Sequence, residues 1–561
     1  MREGREVRYS ELAAENGNPE HEGRSTAKEI DAEVSRRSPS DRLPQRDSAS
    51  PIPVVPISRT ASRTPATKKW LGLAILTLPC AIYSMDLTVM ELAIPTLSAQ
   101  LKPTAMQLLW MLDIYGFVLA GMLIPMGALA ERFGRRRLLL IGAGAFSLVS
   151  IGAAFATNSA TLIVMRAALG AAGATIAPTT LSLIRQMFEV AEERERAIGV
   201  WAAAYSVGAG AGPLVGGYIL QQFGWKAIFL IGLPAMLTVI LLGPKILPEY
   251  RNTKVGGVDF LSAGISLVSV LTVILGLKMS VEYGPSLSAA AFVGLGIVLG
   301  VAFVHRQMRL EIPLIDFELL RTPTFPAALA IYSLVSFVSF GSLVFVAQYM
   351  QLVLGLSPLK AGLWGMPFAL MLAIGSSVLP WLERCMPRKA VLCVGLYIAA
   401  IGFGMLCSMQ VGTAPGTVAA VSCVYAFGLA CAFTSTLNVI LEATSVEQAG
   451  TASTVAETSS ELGGALGIAL LGSLGFAVYR SSLHGILAAA ADGLPPTPGA
   501  AIQMFQVSTE YGSRIVQACR EAFVSCLHIT SGASAVILVG AAMLALCGVR
   551  GPGKVVLEHS R

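Results

Sequence analysis

The run Gly127-Ala-Leu-Ala-Glu-Arg-Phe-Gly-Arg-Arg-Arg137 follows two long apolar segments, near 71–95 and 107–130, that carry three carboxylates, Asp86, Glu91 and Asp113. Each segment is longer than the roughly 20 residues a helix needs to cross a hydrocarbon core. A carboxylate at the centre of such a helix costs about 2.5–3.5 kcal/mol or more, so it is expected to face a polar cavity with a task there. The abrupt basic cluster marks where the chain leaves the bilayer. These residues decide the class: an all-α membrane protein.

The rest of the chain agrees. It is 54% hydrophobic and only 13% charged, about half the charged share of a soluble domain. Fourteen spans are expected, near 71–95, 107–130, 138–156, 160–183, 197–220, 226–243, 259–277, 288–305, 326–350, 359–382, 389–411, 416–440, 452–479 and 526–548. Residues 1–66, rich in Ser, Pro, Arg and Glu, cannot bury a core and read as a disordered cytoplasmic tail. The longest loop is expected at about 480–525, polar and Pro-rich around Leu494, with an amphipathic portion near 508–523.

Lys and Arg set the orientation. With both termini inside, the inner loops and flanks hold 21 of them and the outer loops seven, Lys278 among the seven, while only Arg166 falls inside a span. That bias predicts cytoplasmic termini and a multi-pass protein of the cell membrane. Because the basic residues lie in short loops, the net charge of +6 does not indicate nucleic acid. The nine Cys lie mostly in apolar spans and read as small buried hydrophobes, with Cys519 and Cys526 the pair to watch. None of the five His has a partner at metal-ligand spacing, and there is no phosphate-binding Gly-Lys-Ser/Thr loop, so neither a metal site, an enzyme nor an ATP-driven pump is expected.

Leu129-Ala-Glu-Arg-Phe-Gly-Arg-Arg-Arg137 recurs in degraded form at Trp381-Leu-Glu-Arg-Cys-Met-Pro-Arg-Lys389, 252 residues on. Taking spans 7 and 8 as an insertion (246–322) leaves a six-helix bundle over 67–245 and a second over 323–561. Two such repeats around a central site are a transporter plan.

Four stretches resemble the major facilitator superfamily, in particular its fourteen-span drug/proton antiporters and, among those, the quaternary-ammonium and methyl-viologen efflux pumps. They are Met85-Asp-Leu-Thr-Val-Met-Glu-Leu-Ala-Ile-Pro95, Gly127 to Arg137, Arg166-Ala-Ala-Leu-Gly170, and Gly208-Ala-Gly-Ala-Gly-Pro-Leu-Val-Gly-Gly217. The resemblance implies a major-facilitator fold, two six-helix bundles plus two extra helices, and proton-coupled multidrug efflux with no cofactor beyond the proton gradient. A dedicated exporter of a single metabolite or antibiotic would carry the same spans.

Physical reasons assign the roles. Gly127 and Gly134 let helix ends approach, and Glu131 with Arg132 and Arg135 can form a charge cluster that latches the halves. Arg136 and Arg137 read as plain positive-inside residues. Gly208, Gly212, Gly216 and Gly217 strip one face of the fifth helix for close packing, and Pro213 would bend it. The resemblance adds that this helix seals against leak. Arg166 needs an acidic partner; the resemblance assigns it to proton relay, and a structural pair is the alternative. Glu457 and Glu461, four apart on one face, cannot both stay ionised cheaply in low dielectric, which suits a proton carrier. Asp86, Glu91 and Asp113 (this last in the outer part of its helix), with Trp110 and Tyr115, are the expected cargo-binding set, the aromatics offering ring faces to lipophilic cations. The expected partners are the bilayer, lipophilic cations and protons, around a monomer.

Overall fold

In the computed structural model, residues 66–249, 259–310, 324–444, 449–487, 494–495, 497–505 and 510–549 are described here. Of the expected tail, residues 1–66, all but Ala66 lie outside them. Among the described residues there is no strand. Fourteen helices follow the expected spans in order: α1 (Ala66–Leu101), α2 (Ala105–Phe133), α3 (Arg135–Ala154), α4 (Ser159–Met187), α5 (Glu192–Phe223), α6 (Trp225–Ile246) and α7 (Phe260–Ser280). Then come α8 (Leu287–Gln307), α9 (Thr324–Val353), α10 (Pro358–Cys385), α11 (Arg388–Leu406), α12 (Pro415–Glu442), α13 (Ala452–Leu487) and α14 (Glu510–Gly548). Thirteen are long and apolar enough to cross a bilayer as single helices, and α1, bent by 41° between Asp86 and Thr88, makes the fourteenth.

Local sequence explains where the helices start. Thr104 and Gln107 form a reciprocal capping box on α2. Asn158, Asp259, Ser286 and Ser357 each accept a backbone N–H at the first turn of α4, α7, α8 and α10. The bend in α1 lies where the Ser84 and Thr88 hydroxyls donate back to the Ala81 and Met85 carbonyls and where Pro95 withholds an N–H one turn on. It puts Asp86 at the hinge between two arms.

The 480–525 loop is shorter than expected. α13 continues to Leu487 and α14 begins at Glu510, so the amphipathic stretch is the first third of α14. Between them a short helix, Pro498–Met504, lies on α1, with Gly499 against Pro95 and Ser98. A backbone polar group in lipid needs an internal partner, so an amphipathic run next to an apolar one extends the helix more cheaply than it forms a loop.

Packing follows the small residues. Gly208, Gly212 and Gly216 face α1: a Cβ at Gly208 would fall on the Ala81 carbonyl, and one at Gly216 would come 2.6 Å from a Val89 methyl. The Ser84 and Thr88 hydroxyls bridge the same seam to the Tyr205 and Ala209 carbonyls, at 2.7 and 3.3 Å. Gly217 faces α10, where a Cβ would sit 2.6 Å from the Pro358 carbonyl. The fifth helix thus packs closely on two sides, and it runs through Pro213 without a break. α2 lies on α4, α7 and α13, and α9 on α13 and α14; α8 packs chiefly on α7. Leu295, Val298 and Val301 on α8 are more than half exposed, as a lipid-facing surface requires.

All nine cysteines are free, Cys519 and Cys526 included, and both of those are buried.

Candidate functional site

The acids of α1, α2 and α13 converge at mid-depth. Glu91, Asp113, Tyr115, Arg166, Phe340 and Glu461 line one small cavity of about 30 Å³. That is room for a water or two and not for a drug-sized molecule.

Two fixed cations are buried among the described residues, Arg166 and Lys278, and each has an aspartate of its own. Arg166, on α4, donates from Nη1 to Asp86 Oδ2 at 2.7 Å and from Nε to the Met111 carbonyl at 3.2 Å. Its guanidinium carbon lies 4.5 Å from the Tyr115 ring centroid. The expected acidic partner of Arg166 is therefore Asp86, and the Asp86 carboxylate expected to meet cargo is already matched by a protein charge.

Lys278 corrects an expectation. It is no outer-loop residue: it sits within the helix of α7, 2% exposed, and donates to Asp113 Oδ2 at 2.6 Å. Asp113 is fully buried. The helix runs on past the expected end at 277, and the carboxylate of α2 provides the counter-ion that makes burial of the lysine tolerable. The Lys278 Nζ also lies 3.8 Å from the Trp110 ring centroid. The faces of Trp110 and Tyr115, expected for cargo, are thus taken by the protein's own cations.

The three glutamates differ. Glu91 is 5% exposed and Glu461 7%, and neither they nor half-buried Glu457 have an ion-pair partner among the described residues. Glu461 Oε1 accepts the Tyr83 hydroxyl at 2.7 Å, across from α1 to α13. Tyr83 packs on Tyr205 at 6.0 Å between centroids, and Tyr205 and Tyr332 lie within electrostatic range of both Glu457 and Glu461. Tyr83 was legible in principle, since it precedes Asp86 by three residues and so shares its face.

The loop motif is held by a residue the sequence did not single out. Gly134 has φ +110°, and a Cβ there would sit 2.6 Å from Glu249 Oε1. Glu249, just after α6, accepts the Arg136 and Arg137 backbone N–H groups, both at 3.2 Å, and so caps α3. Arg136 reaches back to the Leu247 carbonyl at 2.9 Å, so it ties α3 to the end of α6 rather than simply marking a membrane face. Glu131 pairs with Arg135 at 3.4 Å, while Arg132 lies over the Phe133 ring. Gly127 meets only Pro178 at ordinary contact distance, so no close approach depends on it. In the degraded repeat, Glu383 takes two hydrogen bonds from Arg388 (3.0 and 3.1 Å), and Arg388 also pairs with Glu442.

Fourteen apolar helices whose buried acids meet at one central cavity define a secondary transporter, not an enzyme. The chain belongs to the Major Facilitator Superfamily, whose profile matches residues 76–468. It is 36% identical over 491 residues to the multidrug efflux pump LfrA of Mycolicibacterium smegmatis, covering 86% of this chain and 96% of that one. It is 31% identical over 485 residues to the methyl viologen resistance protein SmvA of Salmonella typhimurium, covering 85% and 98%. Among solved structures, a bacterial homologue of the human lysosomal transporter Spinster, inward-facing and unoccupied, superposes with a TM-score of 0.63 over 87% of this chain and all of the other, at 19% identity, a likeness of fold alone.

Proposed function

We propose that the protein is a proton-coupled multidrug exporter of lipophilic, mainly cationic compounds, working by alternating access as a monomer in the cell membrane. One observation carries this. The two buried cations are each matched to an aspartate, which leaves Glu91, Glu457 and Glu461 with no fixed countercharge among the described residues. Countercharge at those three must come from mobile cations, protons or cargo. The names of the relatives, an efflux pump and a methyl viologen resistance protein, agree with that cargo.

In this reading α1–α6 and α9–α14 are the two moving halves, and α7 and α8 are an insertion docked on α2 and α13. The Arg-rich end around Gly134 is cytoplasmic, on the strength of the Lys and Arg bias. The two halves meet from mid-helix to the Leu101 end: Gln351 donates to the Leu92 carbonyl at 3.1 Å, and Pro213 and Gly217 of α5 lie on Gly362 and Pro358 of α10. Cargo therefore approaches from the Gly134 side and meets Glu457 first, in the neighbourhood of Tyr205 and Tyr332. A proton arriving from the other side neutralises Glu461, whose carboxylate Tyr83 holds in place, and the cargo leaves. Glu91 is the remaining acid for cation recognition at the cavity, and the Asp86–Arg166 pair positions the two arms of α1. The Glu131–Arg135 and Glu383–Arg388–Glu442 clusters latch the cytoplasmic ends in the opposite state. One net charge moved down 100 mV supplies about 2.3 kcal/mol, enough for a cargo ratio of about fifty.

The test is ethidium efflux from a pump-deficient cell expressing the protein, with and without a protonophore, followed by a panel of cations. Protonophore-sensitive export of several unrelated lipophilic cations is expected. Export of one compound only would assign the protein instead to a single metabolite, and export untouched by the protonophore would remove the proton from the mechanism.

A further inference from the structure

The inserted helices have no evident task if they only pack. α8 shows most of its surface to lipid, but α7 delivers a buried ammonium to the transport half. Lys278 lies between two cavities. On one side Asp113, its partner, lines the central cavity with Glu91, Arg166 and Glu461. On the other side Lys278 itself lines a second small cavity, of about 20 Å³, toward the Leu101 end, with Ser473 and Arg480 of α13. Asp113 Oδ2 is bound by Lys278, while Oδ1 is buried with no donor. The carboxylate therefore has one oxygen engaged and one vacant acceptor site; it lines the central cavity, and the ammonium bound to its other oxygen lines the second.

We propose that the Lys278–Asp113 pair is a proton-transfer station, through which the inserted helix α7 takes part in coupling. This rests on the antiport reading above. A proton from water in the outer cavity binds Asp113 Oδ1; Lys278 keeps its own proton, so the pair passes from neutral to a net charge of +1. An unpaired ammonium buried in low dielectric is costly, so the state is short-lived. The proton leaves Asp113 for an acid on the central cavity, which becomes neutral, and the Lys278–Asp113 pair is restored. Lys278 thus keeps Asp113 a relay rather than a store.

The surroundings suit that role. Facing Asp113 are Arg166 of α4, already neutralised by Asp86, Glu461 of α13, Glu91 of α1, and Tyr115 of α2, whose hydroxyl has no partner. α13 also contributes Arg480 beside Lys278. The charged groups of α8, His305 and Arg306, are at the opposite end of α7, where Arg306 pairs with Asp259.

The experiment is proton and cargo flux in reconstituted vesicles, counting protons moved per ethidium exported. Wild type provides the control for the antiport reading: if it moves no protons with cargo, that reading fails and takes this one with it. With a coupled wild type, Lys278→Met is expected to lose one proton per cycle, lowering the cargo ratio held at 100 mV about fifty-fold. Lys278→Arg is expected to keep the wild-type count. If Lys278→Met does not fold, Lys278→Met/Asp113→Asn removes both charges together and is expected to show the same lost proton. A neutral variant that folds and moves the wild-type number of protons overturns the proposal and leaves the antiport reading standing.

Discussion

The Asp86–Arg166 pair gives a sharp quantitative prediction. Arg166→Met leaves Asp86 facing a site built for a cation, and breaking a buried pair from one side typically costs 3–5 kcal/mol. Asp86 is still 18% exposed, so its share belongs at the low end, about 3 kcal/mol. The Met111 carbonyl also loses its donor and the Tyr115 ring its cation, adding about 1 kcal/mol. Asp86→Asn is milder, about 2 kcal/mol, because Arg166 retains the Met111 carbonyl and the ring and the amide oxygen can still accept. With both changes neither charge is stranded, so the double variant should cost about 2–3 kcal/mol rather than the summed 6. Equilibrium unfolding in maltoside micelles titrated with dodecyl sulfate measures all three. Costs that add to within about 0.5 kcal/mol would show that the two residues do not act as a pair.

Other predictions follow the same contacts. Gly208→Val should destabilise by about 1–3 kcal/mol, since its Cβ meets the Ala81 carbonyl, whereas Gly199→Ala, with nothing within 4 Å, should be neutral or slightly stabilising; thermal unfolding in micelles separates them. Glu249→Ala should cost about 1–2 kcal/mol as the cap of α3 is lost, and Gly134→Ala about as much, because a side chain there is strained at φ +110° and crowds the same carboxylate. Both should raise amide exchange at Arg136 and Arg137 above that of neighbouring turns. Tyr83→Phe removes the hydroxyl bound to Glu461 and is expected to cut uphill ethidium export about tenfold, with thermal stability close to wild type. Unchanged export would make Tyr83 a packing residue.

The fourteen spans and their order were legible because apolar length in a bilayer is an unambiguous signal. The small-residue face of α5 was legible too, since glycine spacing states directly where a neighbour can come close. Pairings were not. Asp86 and Arg166 are 80 residues apart, and Asp113 and Lys278 are 165 apart, so no local pattern joins them. Lys278 was misplaced because a lone lysine at the end of an apolar run looks like a loop residue until its partner is seen. The ring contacts were hidden for the same reason: Trp110 and Tyr115 offer suitable faces, and only the fold shows Lys278 and Arg166 lying over them. Glu249 had no signal of its own; only the left-handed backbone at Gly134 makes its carboxylate a cap.

The most direct measurement is proton movement on adding ethidium to vesicles that hold the purified protein and a pH dye, for wild type and for Glu91→Gln/Glu457→Gln/Glu461→Gln. The account predicts a cargo-dependent proton flux in wild type that disappears in the triple variant together with uphill export. A triple variant that still pumped ethidium uphill with the wild-type proton flux would contradict it.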